Sequence, residues 1–286
     1  MADVRVSPPR IFAQATHASR PPADAAGSAD AHRQTGFVLG EETEHVLEGL
    51  TLESAVAAEA AGSRYRNLTV AAALAMGSRG WLTRLQALHA IEWGNYASAI
   101  PLVASAAEHE TASASVLANA ASSWQEWLAE DGLADLADER ATEFALGREF
   151  VPDPSLPPLL LEVRAAATAL AQPRAGAALL LTGGESGAGR LAITFGDRDF
   201  HVGLAEIGLG WLLALGVAKT EVLLAAGTTL PLPGEEAMRR WSERAKPMIA
   251  APRRGRVERI ELAGVERYSV ENWRRAPAGA VRRIVL

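Results

Sequence analysis

Cysteine is absent from all 286 residues. That excludes disulfides, thiol nucleophiles and cysteine-ligated zinc, and it leaves the redox compartment open. Lysine is nearly absent too. Of 28 basic side chains only Lys219 and Lys246 are lysines, and the rest are arginines. With the abundant alanine, this is the mark of a GC-rich genome more than of a selected surface. Charge of one sign is not in excess, since a net −6 gives no general pull towards nucleic acid. Gly-x-Ser-x-Gly, His-Glu-x-x-His and Gly-x-Gly-x-x-Gly after a strand are all missing. Their absence lowers the odds for a hydrolase, a zinc protease and a dinucleotide enzyme. No cofactor is expected.

Long hydrophobic runs are scarce as well. The N-terminal MADVRVSPPR is polar and broken by proline, without the apolar stretch of a signal peptide. The longest apolar run, residues 202–218, is interrupted by Glu206 and falls short of the roughly 20 residues a membrane span needs. It reads as a buried core helix. The expected location is the bacterial cytoplasm, with no membrane partner.

What is present is a globular composition, 49% hydrophobic, in a chain long enough for one large or two modest domains. Residues 1–35 are rich in Ala, Pro, Asp and Ser and are expected to form a disordered arm. Residues 36–150 carry helical periodicity. A first helix is expected from Thr51 as N-cap to about residue 76, with Gly77, Ser78 and Gly80 as punctuation. A second runs from about Trp81 to Trp93. A third follows from Ser98 towards Leu128, with Pro101 at a harmless early position, and another spans residues 132–147.

The proline-rich 151–158 is the best connection between parts. Residues 159–250 form a second helical part, with helices at 159–171 and about 200–215 and an ambiguous apolar pair at 174–196. Residues 251–286 alternate with period two around Ala263-Gly264 and predict a small antiparallel β unit. The fold class that results is mainly α: a bundle built on an antiparallel helical hairpin, with a C-terminal β appendage.

The sharpest chemical signal is ALHAIEWGNYASAIPLVASAAEHE, residues 87–110. On a helical wheel His89 and Glu92 fall inside the apolar side of the Trp81–Trp93 helix, and Glu110 inside that of the next. Buried and unpaired, each would cost about 1–3 kcal/mol, so each needs a partner. A hairpin turning near residue 95 sets position i opposite roughly 190 − i. Glu110 then faces Gly80 or Trp81, too far from His89 for a shared ion, and Arg79 is its expected partner. A third helix that brought Glu206 to His89 and Glu92 would make a carboxylate and histidine metal site.

Residues 84–117, RLQALHAIEWGNYASAIPLVASAAEHETASASVL, resemble a diffuse set of bacterial all-helical proteins distantly linked to the HEPN ribonucleases. Those enzymes carry an Arg, four to six residues, then a His, which act on the scissile phosphate across a dimer. The resemblance implies Arg84 and His89 as that pair, acting without metal. Two positions depart from the pattern: Leu85 stands where a polar residue usually follows the Arg, and Ala104 where relatives often have Arg. The plainer alternative for Arg84 is a helix-edge side chain paired with a carboxylate.

GGESGAGRL, residues 183–191, lacks the Lys and Ser/Thr of a phosphate loop and reads as a turn. Asp197, Asp199 and His201 alternate, but are better read as caps of the following helix than as ligands. Residues 252–286 hold nine Arg against four Glu, leaving −11 on the rest. Arg254, Arg256, Arg274 and Arg275 are therefore candidate RNA contacts, against self-pairing with the acidic remainder. The leading expectation is a non-catalytic binding or regulatory module that associates with itself as a homodimer. The HEPN-like ribonuclease comes second, and a metal site on His89, Glu92 and Glu206 third.

Overall fold

The structure is a computed structural model that describes residues 10–11, 14–25, 27–60, 68–118, 155–183, 186, 189–227, 230, 232–252, 254–271 and 283–286. Among these it is mainly helical, with a three-stranded antiparallel sheet at the C-terminus. The helices are α1 (Ser28–Val38), α2 (Gly40–Ala60), α3 (Leu68–Glu92), α4 (Tyr96–Ala118), α5 (Pro158–Ala171), α6 (Ala175–Thr182), α7 (Val202–Ala225) and α8 (Glu235–Ile249). The strands are β1 (Val257–Leu262), β2 (Val265–Glu271) and β3 (Arg283–Val285), in the order β1-β2-β3.

Apolar residues all round α7 dictate its place. A helix with no polar face must be covered on every side, and α7 packs against α2, α3, α4, α5 and α8. It is the one described helix long and apolar enough to cross a membrane, yet 83% of that apolar window lies buried inside the fold. Its glycines admit neighbours closely. Gly208 meets Ile91, and Gly216 meets Trp241, which also abuts Gly49 of α2. Trp241 is 2% exposed and stacks on His45 with ring centroids 5.1 Å apart. The two residues exchange hydrogen bonds: Trp241 Nε1 donates to the His45 carbonyl at 2.8 Å, and His45 Nε2 donates to the Trp241 carbonyl at 3.1 Å. Burial holds the His45 pKa below its ordinary value.

The hairpin of α3 and α4 turns where expected. Gly94, at φ +69°, closes α3 as its N–H donates to the Ile91 carbonyl (3.0 Å) while Asn95 N–H donates to that of Ala90 (2.8 Å). This is the paired closure a left-handed glycine makes after a helix end. The expected register holds too, for Gly80 sits against Glu110 and Gly77 against Ser113.

Several elements differ from expectation. Gly77 and Gly80 do not interrupt a helix but lie inside α3, where their missing side chains admit polar neighbours. Thr51 is not an N-cap; it lies inside α2 and donates to the Leu47 carbonyl. Pro101 sits deeper in α4 than expected, because the helix already starts at Tyr96. The expected disordered arm contains α1 from Ser28 onward, and residues 14–20 lie along the end of α3. The run near 200–215 extends to Ala225, and α8 was not anticipated. Of the ambiguous pair, AALLLT is helical and residues 191–194 are an exposed irregular segment. The helix expected at 132–147 lies outside the described residues.

The C-terminal unit matches its expectation. β1 and β2 pair from Val257↔Val270 to Leu262↔Val265 around a two-residue turn. Both turn residues, Ala263 (φ 53°) and Gly264 (φ 74°), are left-handed, as the twist of a tight hairpin favours. Val270, Ile284 and Leu286 seat the sheet on the helical core.

A Cβ added at Gly49 would stand 2.5 Å from the Trp241 ring, as would one at Gly216. Gly49→Ala is therefore expected to destabilise by about 1–3 kcal/mol, the usual effect of overpacking. Urea unfolding measures it, and a midpoint equal to wild type would show that Trp241 is not tightly held.

Candidate functional site

Four ionisable side chains meet between α2, α3, α4 and α7. Arg84 is 2% exposed and forks onto Glu53, with Nη1 donating to Oε1 at 2.8 Å and Nη2 to Oε2. The same Nη2 lies 3.1 Å from Glu110 Oε1. The other Glu110 oxygen accepts from Lys219 Nζ at 2.7 Å. Lys219 also donates to Ser113 Oγ at 3.0 Å, and Ser113 donates onward to the Ala73 carbonyl at 2.8 Å.

Local geometry explains the assembly. Helical side chains lean towards their own N-terminus, so Arg84 folds back over the turn holding Gly80. There an added Cβ would stand 2.5 Å from Glu110 Oε1, so only glycine leaves room for that carboxylate. One turn earlier, a Cβ at Gly77 would come within 3.1 Å of Lys219 Nζ. Two cations and two carboxylates make a neutral quartet. Burial works against the Arg84 charge, but Glu53 and Glu110 beside it raise its pKa above the ordinary value. Burial pushes the Glu53 carboxyl upward against the pull of the same guanidinium.

A pocket of about 290 Å³ opens directly onto this quartet. Glu53, Ser113 and Lys219 form its floor. Val56, Ala73, Leu74, Leu117, Leu223 and Leu230 form apolar walls, and Trp81, Leu82, Arg10 and Ile11 stand around the rim. Trp81 is fixed there by its Nε1 donating to the Leu50 carbonyl at 2.8 Å.

From the rim the N-terminal segment runs along the end of α3. His17 Nδ1 lies 2.5 Å from Glu92 Oε1 and Nε2 lies 3.0 Å from Glu44 Oε1. Ala18 N–H donates to the second Glu92 oxygen at 2.6 Å, His89 Nε2 to the Thr16 carbonyl at 2.7 Å, and Trp93 Nε1 to the Ser19 carbonyl at 2.9 Å. With a carboxylate facing each ring nitrogen, His17 is held as the imidazolium, the form in which both nitrogens donate. Burial lowers its pKa, but Glu92 and Glu44 more than reverse that, and the net direction is up.

The residues singled out in the sequence are dispersed. Arg84 and His89 do not form a pair. Five helical positions set them some 140° apart on α3, so Arg84 enters the core while His89 binds the N-terminal segment. Nor do His89, Glu92 and Glu206 share an ion: Glu92 serves His17 and Ala18, and the Glu206 carboxylate accepts Gly255 N–H at 2.6 Å. No group of three or more potential metal ligands occurs among the described residues.

Arg79 is not the partner of Glu110, because it points to solvent while Arg84 and Lys219 take that role. Arg254 is buried and donates to Glu42 at 2.7 Å and to the Glu206 carbonyl. Arg256 donates to the Ala251 carbonyl at 2.8 Å. Arg274 and Arg275 lie outside the described residues. The N-cap position of α7 is His201, with no side-chain cap bond there among the described residues, while Asp197 accepts Asp199 N–H at 3.1 Å and meets His201 Nε2 at 3.1 Å.

Sequence reasoning missed Glu53, Ser113 and Lys219. The available signal was Lys219, one of two lysines, set inside the apolar GVAKTEVLL. No family model, curated protein or solved structure matches this chain.

Removing Arg84 strands the buried Glu53 carboxylate and leaves Glu110 with Lys219 alone. Arg84→Met is expected to destabilise by about 3–5 kcal/mol, as breaking a buried pair does, whereas Arg79→Met leaves the urea midpoint unchanged. Equal effects would refute the assignment of partners. For the N-terminal segment the sign follows from His17. Its folded pKa lies above the unfolded value near 6.5, so its stabilising contribution is complete below about pH 6.5 and is lost as pH rises through the folded value. Hydrogen-exchange protection of residues 14–20, corrected for intrinsic rate, should fall as pH is raised above about 6.5. In His17→Gln it should be low throughout.

Proposed function

We propose that this chain is a binding module for a small, mostly apolar molecule, held in the pocket above Lys219 and released unchanged. The observation that carries this reading is an apolar-walled pocket whose floor bears a buried ammonium with one proton uncommitted. Lys219 has three N–H groups, and Glu110 and Ser113 accept two of them. Small-molecule sites have this character: about 300 Å³ or more of mainly apolar lining, with a few placed polar groups that fix orientation.

Catalysis fits the same residues poorly. A general acid or base needs an unoccupied position and a pKa near the working pH, whereas Arg84, Glu53 and Glu110 are neutralised by one another. The nuclease reading would require Arg84 to leave both carboxylates before it met a phosphate.

The test is a titration with 1-naphthylamine, a small neutral dye that is mostly apolar, followed by its fluorescence. Saturable uptake at one dye per chain, strongly weakened by Leu74→Trp on the pocket wall, is the expected result. Uptake that does not saturate, or that Leu74→Trp leaves alone, would overturn the proposal.

A further inference from the structure

The floor of the pocket constrains the head group of whatever fills it. We infer that the ligand is an apolar molecule of about a dozen heavy atoms with one uncharged head that both donates and accepts a hydrogen bond, a hydroxyl or a primary amide. This inference rests on the binding reading above. Its size follows from the volume: a cavity of about 150 Å³ holds benzene, and this one is about 290 Å³.

The head group follows from what the floor leaves unused. Ser113 spends its proton on the Ala73 carbonyl and accepts from Lys219, so it offers little more. Lys219 retains one N–H, which calls for an acceptor on the ligand. Glu53 takes one hydrogen bond on each oxygen from Arg84, and each oxygen keeps a further lone pair that calls for a donor. Both residues line the pocket, so it offers a donor and an acceptor to the same occupant.

A bare hydrocarbon leaves both unanswered. A carboxylate answers Lys219 but sets a third negative charge beside Glu53 and Glu110, against the two cations of the quartet, with Arg10 only at the rim. An amine answers Glu53 and repels Lys219. A hydroxyl or amide satisfies both and leaves the quartet neutral.

The experiment displaces the bound dye from the full chain with 1-decanol, decanamide, decanoate and decylamine at neutral pH. Decanol and decanamide should displace it at concentrations at least about tenfold lower than decanoate or decylamine, the difference one charge-assisted hydrogen bond makes. Decanoate equal to or better than decanol would overturn the head-group inference while the pocket reading stands. If no compound displaces dye that does bind, the inference fails as well. A lack of dye binding would instead sink the pocket reading itself. A second comparison uses Lys219→Met. It should raise the decanol concentration needed for displacement by at least about threefold and leave decanoate at least as disfavoured, since two carboxylates then face one guanidinium. Decanol displacing the dye as well as from the wild-type chain would show that Lys219 does not read the head. Should that variant unfold, the four-compound series on the wild-type chain still decides the matter.

Discussion

Everything in the centre of this molecule turns on the Arg84 guanidinium. A buried cation is tolerated only when its charge is answered, and Arg84 meets that condition through its two terminal nitrogens while its Nε goes without a partner among the described residues. Glu53 supplies a two-pronged answer from α2, and Glu110 a further contact from α4. Two carboxylates around one guanidinium leave an excess negative charge, and Lys219 of α7 balances it. One side chain on α3 thus ties together four helices, each at a fixed height, because a shift of one turn on any helix strands a charge. The apolar contacts that surround the quartet supply far more gross burial, but they are forgiving of small slides. The ion pairs set the register.

That constraint reaches the backbone. For carboxylate and ammonium to lie between packed helices, something must be small, and α3 presents Gly77 and Gly80 there. In isolation two glycines within a helix weaken it by about 1 kcal/mol each. Here they stand opposite charged side chains that any Cβ would crowd. The same logic recurs at α7 and α2, where Gly216 and Gly49 accept the Trp241 ring. Glycine in these helices marks close approach to a large or charged neighbour, not a break.

Legibility in the sequence divides along that line. The hairpin could be read because Gly94-Asn95 is a local signal and antiparallel pairing follows from counting residues out from the turn. The inward position of Glu110 followed from the wheel, and the β unit from alternation around Ala263-Gly264. Where the reading failed, it gave a nonlocal role to a local rule. Gly77 and Gly80 look like punctuation until Glu110 and Lys219 are placed opposite them. Arg79 seemed the partner of Glu110 by register alone, but the backward lean of helical side chains brings Arg84 to that spot instead. Lys219, 109 residues from Glu110, lay beyond any pairing a hairpin implies. His89 and Glu92 did need partners, and found them in an N-terminal stretch whose composition argued for disorder. Its order comes from side chains of α3 that capture its carbonyls and its histidine.

The pocket is a consequence of how the buried charges are housed. Small residues that let α3, α4 and α7 approach around the quartet, among them Ala73, Gly77 and Ser113, are too short to fill the space on its outer side. Leu74, Leu117 and Leu223 line that space with apolar surface. Evolution has a simple remedy for such a void, since a larger residue at Ala57 or Ala73 would occupy it and gain apolar burial. A void that ends on an ammonium with a spare proton differs from a packing defect, because a methyl group placed there would bury that donor unanswered. The floor is therefore stable beneath water or beneath a polar head, and unstable beneath an apolar plug. That asymmetry sets this space apart from an ordinary packing void, which an apolar side chain could fill.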